Sequence, residues 1–333
     1  MELIIKPTSA CNFKCKFCAA SELNIPTLHQ VPAMMASLIY DLKPTTIIVT
    51  GGEPFMCPPS FYRELISVAK DIDATISITS NLWQWYKERD RWKKSGVLDN
   101  PRVEVGTSFN YGDTRGTSKE VFTVEKFEMV LEAFNEDYGY KPTFIGVIDQ
   151  NNVKDFDKHL DLCAKHGISC KLNAANAIGN QKIPFSRPDL MKEYLRIIKE
   201  GKEDLEQNCR DRVFGSCPFN TNFMCRQSIR AIYRGADSSI YWSHCEELLN
   251  LGIGKKLCDD YGVITEEYEK FIKATNPEPT QPTAIISSKC YYCELYRLCN
   301  GCAINQLNAI RDPKYCEKML EIKDEIIDSG WKI

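Results

Sequence analysis

The sequence predicts an α/β protein: repeated strand-helix units around a parallel sheet, followed by a smaller cysteine-rich α+β part. Two observations predict it. From residue 2 to about 174, short β-branched runs alternate with longer amphipathic stretches. Near residue 205 the character changes, with Cys209, Cys217 and Cys225 arriving among polar, Gly and Pro positions with little periodicity. The expected organisation is therefore 1–204 and 205–333.

Each element follows from local chemistry. The expected strands are Leu3 to Lys6, Thr46 to Thr50, Thr75 to Thr79, Val103 to Ser108, Thr143 to Ile148 and Ser169 to Asn173. Helical periodicity is expected over 32–43, 59–72, 83–95, 123–137 and 153–166, with Pro44, Gly96 and Gly167 as stop signals, and again from Pro188 to Lys202. Pro277-Glu278-Pro279 reads as a surface linker, and a last helix is expected from Pro313 to Ser329. Periodicity alone leaves a barrel and a doubly wound sheet both open.

A chain of 333 residues is long for one compact core. A net charge of -3 with both signs interspersed does not favour nucleic acid as a generic partner. The opening Met1 to Lys6 is too short and polar-flanked for a signal peptide, no separate leader-binding domain stands at the N-terminus, and no run has the length of a membrane span. Sixteen cysteines then point to metal centres in a reducing, cytoplasmic setting rather than to a disulfide scaffold.

Cys11, Cys15 and Cys18 stand within eight residues. A disulfide pair would leave one thiol over, and a zinc site would need a fourth ligand from elsewhere. An iron-sulfur cubane held by three thiolates fits better, because one iron stays open. The C-x3-C-x2-C spacing, with Phe17 before the third cysteine, resembles the signature of the radical S-adenosylmethionine (radical SAM) superfamily. Thr50-Gly51-Gly52-Glu53-Pro54 one unit later matches that family's Gly-Gly-Glu-Pro motif. The resemblance implies a partial (β/α)6 TIM-like barrel, with Cys11, Cys15 and Cys18 as ligands of a 4Fe-4S cluster. It also implies Phe17 near the adenine of S-adenosylmethionine, and Gly51, Gly52, Glu53 and Pro54 at its amino group. Ser80, Asn81, Ser108 and Asn173 end strands, where polar side chains either reach the cofactor or cap the following helix. Cys57 has only its nearness to this face in its favour; Cys163 and Cys170 read as buried apolar side chains. His29, His159, His166 and His244 form no metal-ligand spacing and read as ordinary surface or core residues.

Cys290-x2-Cys293-x5-Cys299-x2-Cys302 followed by Cys316 is the second strong pattern, short in its central gap for a zinc ribbon. It resembles the SPASM domain of radical SAM enzymes, which carries two auxiliary 4Fe-4S clusters. That likeness implies a hairpin of Ile229 to Tyr233 and Ser239 to Trp242 turning at Gly235. It implies one cluster on Cys225, Cys245 and Cys302 and another on Cys290, Cys293, Cys299 and Cys316. Two spacings depart from the pattern: nine residues rather than four between Gly235 and Cys245, and two rather than three between Cys299 and Cys302. Cys209, Cys217 and Cys258 are left over as possible further ligands, and Cys258 also suits the single-cluster twitch variant.

In the related anaerobic sulfatase-maturating enzymes an Asp follows the cysteine corresponding to Cys245 and acts as base, which makes Glu246 the candidate here. The resemblance implies an oxidoreductase or isomerase that modifies a peptide or protein side chain by oxidation, cross-linking or epimerisation, with flavodoxin or ferredoxin as reductant. The alternative is an enzyme of small molecules or nucleotides, a dehydrogenase or isomerase. A non-catalytic electron-transfer protein is disfavoured by the Gly-Gly-Glu-Pro segment.

Overall fold

The computed structural model describes residues 2–21, 23–175, 178–181, 185, 187–210, 228–234, 239–243, 255–256, 292–295, 309–310 and 312–329. Its strands are β1 (Glu2–Lys6), β2 (Thr46–Val49), β3 (Thr75–Ser80), β4 (Val103–Ser108), β5 (Phe144–Ile148), β6 (Cys170–Ala174), β7 (Ser228–Arg234), β8 (Ser239–Ser243) and β9 (Lys255–Lys256). They form one sheet in the order β6-β5-β4-β3-β2-β1-β7-β8-β9. β1 to β6 are parallel neighbours in sequence order. A doubly wound sheet would reverse its strand order partway, so the six units form the expected partial TIM-like barrel.

Strand alternation gives the sheet two faces. Leu3, Ile5, Ile47, Val49, Ile76, Ile78, Cys170 and Leu172 are buried against the helices. The residues between them, including Lys6, Ser77, Thr79, Ser108, Lys171 and Asn173, take the concave face by the same alternation.

The helices are α1 (Ala33–Leu42), α2 (Pro59–Asp71), α3 (Trp83–Lys87), α4 (Arg89–Ser95), α5 (Val124–Tyr138), α6 (Phe156–His166) and α7 (Arg187–Lys199). Gly96 and Gly167 end α4 and α6 in the left-handed conformation, while Lys43 itself takes that conformation after α1, just before Pro44. The stretch 83–95, expected as one helix, is broken at Glu88. Trp85 and Trp92, seven residues apart, would share a face of a straight helix. Instead Trp85 packs on Phe134 of α5, with ring centroids 4.9 Å apart, and Trp92 on Phe55 and Tyr62 at 4.6 and 5.6 Å. The break aims the two rings at different partners. The expected last helix is likewise two, Tyr315–Glu321 and Lys323–Asp328, separated by buried Ile322.

His159 is a core histidine. Its Nδ1 lies 2.8 Å from the Asp155 carbonyl oxygen, its Nε2 accepts the Tyr111 N–H at 3.3 Å, and burial pushes its pKa down to about 4.

The expected hairpin is present as β7 and β8, with Tyr233 opposite Ile240 and Arg234 opposite Ser239. It does not begin a separate sheet. β7 runs parallel to β1, pairing Leu3 with Ile229 and Ile5 with Ala231, so the segment beyond 205 extends the barrel's own sheet.

Candidate active site

The loop after β1 carries Cys11, Cys15 and Cys18, all free and half-buried. Three other loops hold it by backbone hydrogen bonds. From the loop after β2, Gly52 N–H donates to Thr8 O and Glu53 N–H to Ala10 O, both at 2.8 Å. The loop after β4 accepts through Gly116 O from Lys14 N–H (2.7 Å) and through Thr114 O from Lys16 N–H (2.9 Å). Beyond β6, Asn180 N–H donates to Cys18 O at 3.0 Å and Asn180 Nδ2 to Cys15 O at 2.9 Å. The approach leaves no room for side chains at two glycines. A Cβ on Gly52 would lie 2.2 Å from Ala10 O, and one on Gly179 would lie 2.3 Å from Cys18 O.

Glu53 is buried beneath this loop and spends both oxygens on protein donors. Oε1 accepts from Phe55 N–H at 3.0 Å and Ser80 Oγ at 2.6 Å; Oε2 accepts from Asn81 N–H at 2.8 Å. Burial raises its carboxyl pKa, against the opposing pull of these three donors. Ser80 Oγ also accepts from Leu82 N–H, and Asn81 Oδ1 accepts from Trp83 N–H, both at 2.8 Å. Both side chains therefore organise the turn into α3. Asn81 Nδ2 reaches the cysteine loop at Asn12 Oδ1, 2.8 Å away.

The opposite wall centres on Arg115, which sequence reasoning missed. Its Nη1 donates to Ser108 Oγ at 2.8 Å, while Nε and Nη2 donate to Asn110 Oδ1 at 3.1 and 3.0 Å. Its guanidinium lies 5.1 Å from the centroid of the Phe17 ring. Arg115 is 7% exposed and Phe17 8%, so a cation is held in a largely dry wall beside Cys18. Burial raises the Cys18 pKa and pushes the Cys11 pKa up to about 12. Phe13 N–H donates to Cys11 Sγ at 3.3 Å. No local signal marked Arg115; it sits in a polar turn-rich stretch that reads as an ordinary loop.

Thus Phe17, Gly51, Gly52, Glu53, Pro54, Ser80, Asn81 and Ser108 gather around the three cysteines. Asn173 lies farther along the sheet, with Asn208 Nδ2 at 3.4 Å from its Oδ1. Cys57 is buried, its thiol 3.8 Å from Pro7 O, and Cys163 and Cys170 are buried behind β6. Cys209 is also buried; Cys293 is half-buried and Cys316 exposed. Cys217, Cys225, Cys245, Glu246, Cys258, Cys290, Cys299 and Cys302 lie outside the described residues.

Three free thiols thus stand in one clasped loop at the C-terminal end of a parallel half-barrel, where ligand-binding loops of such folds sit. Residues 5–163, just under half of the chain, match the Radical SAM superfamily. A GTP 3',8-cyclase of Mannheimia succiniciproducens is 21% identical over 220 residues, 60% of this chain and 61% of the cyclase, so the likeness spans less than two thirds of that relative's length. The structure of anSMEcpe with bound AdoMet and Cp18Cys peptide has a TM-score of 0.65 at 16% identity and covers 99% of both chains. Streptococcus suis SuiB bound to S-adenosylmethionine has a TM-score of 0.60 at 17% identity, covering 92% of this chain and 73% of that one. These structural likenesses establish the fold.

Proposed function

We propose that this chain is a radical SAM enzyme modifying a peptide or protein side chain. The clasped three-cysteine loop carries the reading. Its donor set suits a cubane: three free cysteine thiols stand in one clasped loop, the ligand type by which such a cluster is held. When bound there by Cys11, Cys15 and Cys18, the cluster and S-adenosylmethionine supply the electron and the 5'-deoxyadenosyl radical that takes a hydrogen atom from the substrate.

The chain's own part is positioning. Backbone bonds from Gly52, Glu53, Gly116, Thr114 and Asn180 fix the cysteine loop before any ligand arrives. With the Glu53 carboxyl satisfied inside the protein, contacts from Gly51 to Pro54 to the cofactor fall to their backbone. Arg115 offers a preorganised cation to the cofactor carboxylate, Ser108 stands beside it, and Phe13 and Phe17 exclude water.

Likeness to anSMEcpe, whose structure holds a peptide, supports the peptide reading; two auxiliary clusters are proposed on the cysteine spacing of the C-terminal part alone. We assign those clusters to Cys225, Cys245 and Cys302 and to Cys290, Cys293, Cys299 and Cys316, with Cys217 or Cys258 as further ligand. Glu246 is the proposed base, and a flavodoxin or ferredoxin the proposed donor. The nucleotide reading is favoured by the curated relatives named GTP 3',8-cyclase. Among the described residues no helix is long and apolar enough to cross a membrane.

The test is anaerobic reconstitution. Three 4Fe-4S clusters require about twelve irons per chain, and about eight would remove one auxiliary cluster. Formation of 5'-deoxyadenosine is expected; its absence with all clusters loaded refutes the proposal. Glu246→Gln is expected to cleave S-adenosylmethionine while losing product, and full product formation would exclude Glu246 as base.

A further inference from the structure

The concave face of β6 carries a pair of donors that the cofactor chemistry above does not use. Lys171 and Asn173 stand two residues apart and share one face, while Cys170 and Leu172 are fully buried on the other. The ladder sets their neighbours: Ile145 lies opposite Lys171, Val147 opposite Asn173, and Ser108 opposite Ile145. With strands about 4.8 Å apart, the Lys171 backbone is roughly 10 Å from that of Ser108, the residue that anchors Arg115. Lys171 is thus in ladder register with Ser108, three residues before the C-terminal end of β6.

Lys171 forms no ion pair among the described residues. Glu206, the carboxyl on which the Lys171 charge acts, has its oxygens engaged by Leu172 N–H at 2.8 Å and Cys209 N–H at 2.9 Å. Asn173 Oδ1 accepts from Asn208 Nδ2 at 3.4 Å. Asn208 is itself held by Leu172 O and the Tyr194 hydroxyl, each at 2.8 Å, which makes the back of this wall rigid.

Charge is graded along the concave face. Glu2 and Glu104 stand at the N-terminal ends of their strands, both exposed, whereas Lys6 ends β1 and Arg115 follows β4 at the mouth; Lys171, the second residue of β6, lies in ladder register with Ser108 at the end of β4. Such a gradient draws an anion to the mouth and repels it from the opposite rim. We propose that Lys171, with Asn173, forms a subsite for an anionic group of the substrate, phosphate or carboxylate, beside an apolar strip of Ile145 and Val147. The proposal rests on the radical SAM reading and adds the charge of the substrate to it.

Direct binding to the full-length, cluster-loaded protein tests the subsite without relying on turnover. The probes are GTP, inorganic tripolyphosphate and a hexaglutamate peptide, each titrated into wild type and Lys171→Gln in the presence of S-adenosylmethionine, with circular dichroism to confirm folding. At least one probe is expected to bind wild type, with its Kd rising about tenfold in Lys171→Gln, the size of one lost charge-assisted hydrogen bond. Lys171→Arg is expected to recover part of that loss. Mutual competition of GTP and tripolyphosphate assigns a phosphate; binding of the peptide alone assigns a carboxylate. No binding of any probe at millimolar concentration, or a change below about threefold in Lys171→Gln, overturns the proposal. Wild-type 5'-deoxyadenosine formation in the same preparation reports separately on the radical SAM reading.

Discussion

Substituting Gly52 by Ala attacks the cysteine loop without touching a cysteine. The new Cβ would sit 2.2 Å from Ala10 O and 2.7 Å from Ser9 O, both backbone atoms. Restoring contact distance needs a relative shift of about 1 Å between the two loops. The hydrogen bonds from Gly52 N–H to Thr8 O and Glu53 N–H to Ala10 O are 2.8 Å long and flank the collision, so the same shift takes both beyond hydrogen-bonding range. Overpacking costs about 1–3 kcal/mol and two lost hydrogen bonds about 0.5–1.5 kcal/mol each, giving roughly 2–6 kcal/mol. The checks are thermal melting of the metal-free protein and iron content after anaerobic reconstitution. Gly52→Ala should melt several degrees lower and retain less iron at the first cluster. Wild-type melting and full iron in the Gly52→Ala protein would show that the contact between the loops is not what holds the cysteines in place.

Three further outcomes follow from geometry. Burial raises the Glu206 carboxyl to about 7, against an ordinary value near 4.5. Its contribution to stability is complete below about 4.5 and is lost as pH rises through about 7, a fall of up to roughly 3 kcal/mol. Denaturant titrations at pH 5 and pH 8 should show that fall in wild type and a flatter dependence in Glu206→Gln; equal slopes would contradict it. Arg115→Lys keeps the charge but loses the planar fork on Ser108 and Asn110. Equilibrium dialysis should find S-adenosylmethionine bound about tenfold more weakly, and unchanged affinity would remove Arg115 from the cofactor site. Ser80→Ala withdraws a 2.6 Å donor from buried Glu53 and an acceptor from Leu82 N–H, so denaturation should show a loss of about 1–3 kcal/mol; wild-type stability would mean that water replaces the hydroxyl.

What was legible in the chain was local. Thr75 to Thr79 alternates apolar and polar residues, and glycines stand where α4 and α6 must stop, so period and punctuation suffice for the barrel units. Cys11, Cys15 and Cys18 are readable because their spacing is itself the signal. The residues that hold them are not, because their partners are remote: Ser80 is 27 residues from Glu53, and Asn180 is 165 from Cys15. Ser80 and Asn81 show the limit well. A polar pair at a strand end is equally suited to a ligand or a turn, and only the position of Glu53 reveals that both serve the turn. Gly179 looked like any loop glycine until its contact with Cys18 O was visible.

The pairing of β7 with β1 imposes an order on the protein's birth. The strand leading into the cysteine loop leaves the ribosome well before its partner, so one of its edges waits for residues 228–234. At 5–20 residues per second that interval is on the order of ten to forty-five seconds, during which the nascent barrel exposes an unpaired strand edge. A fragment stopping near residue 204 would lack β7 and leave that edge of β1 without the partner it has in the full chain.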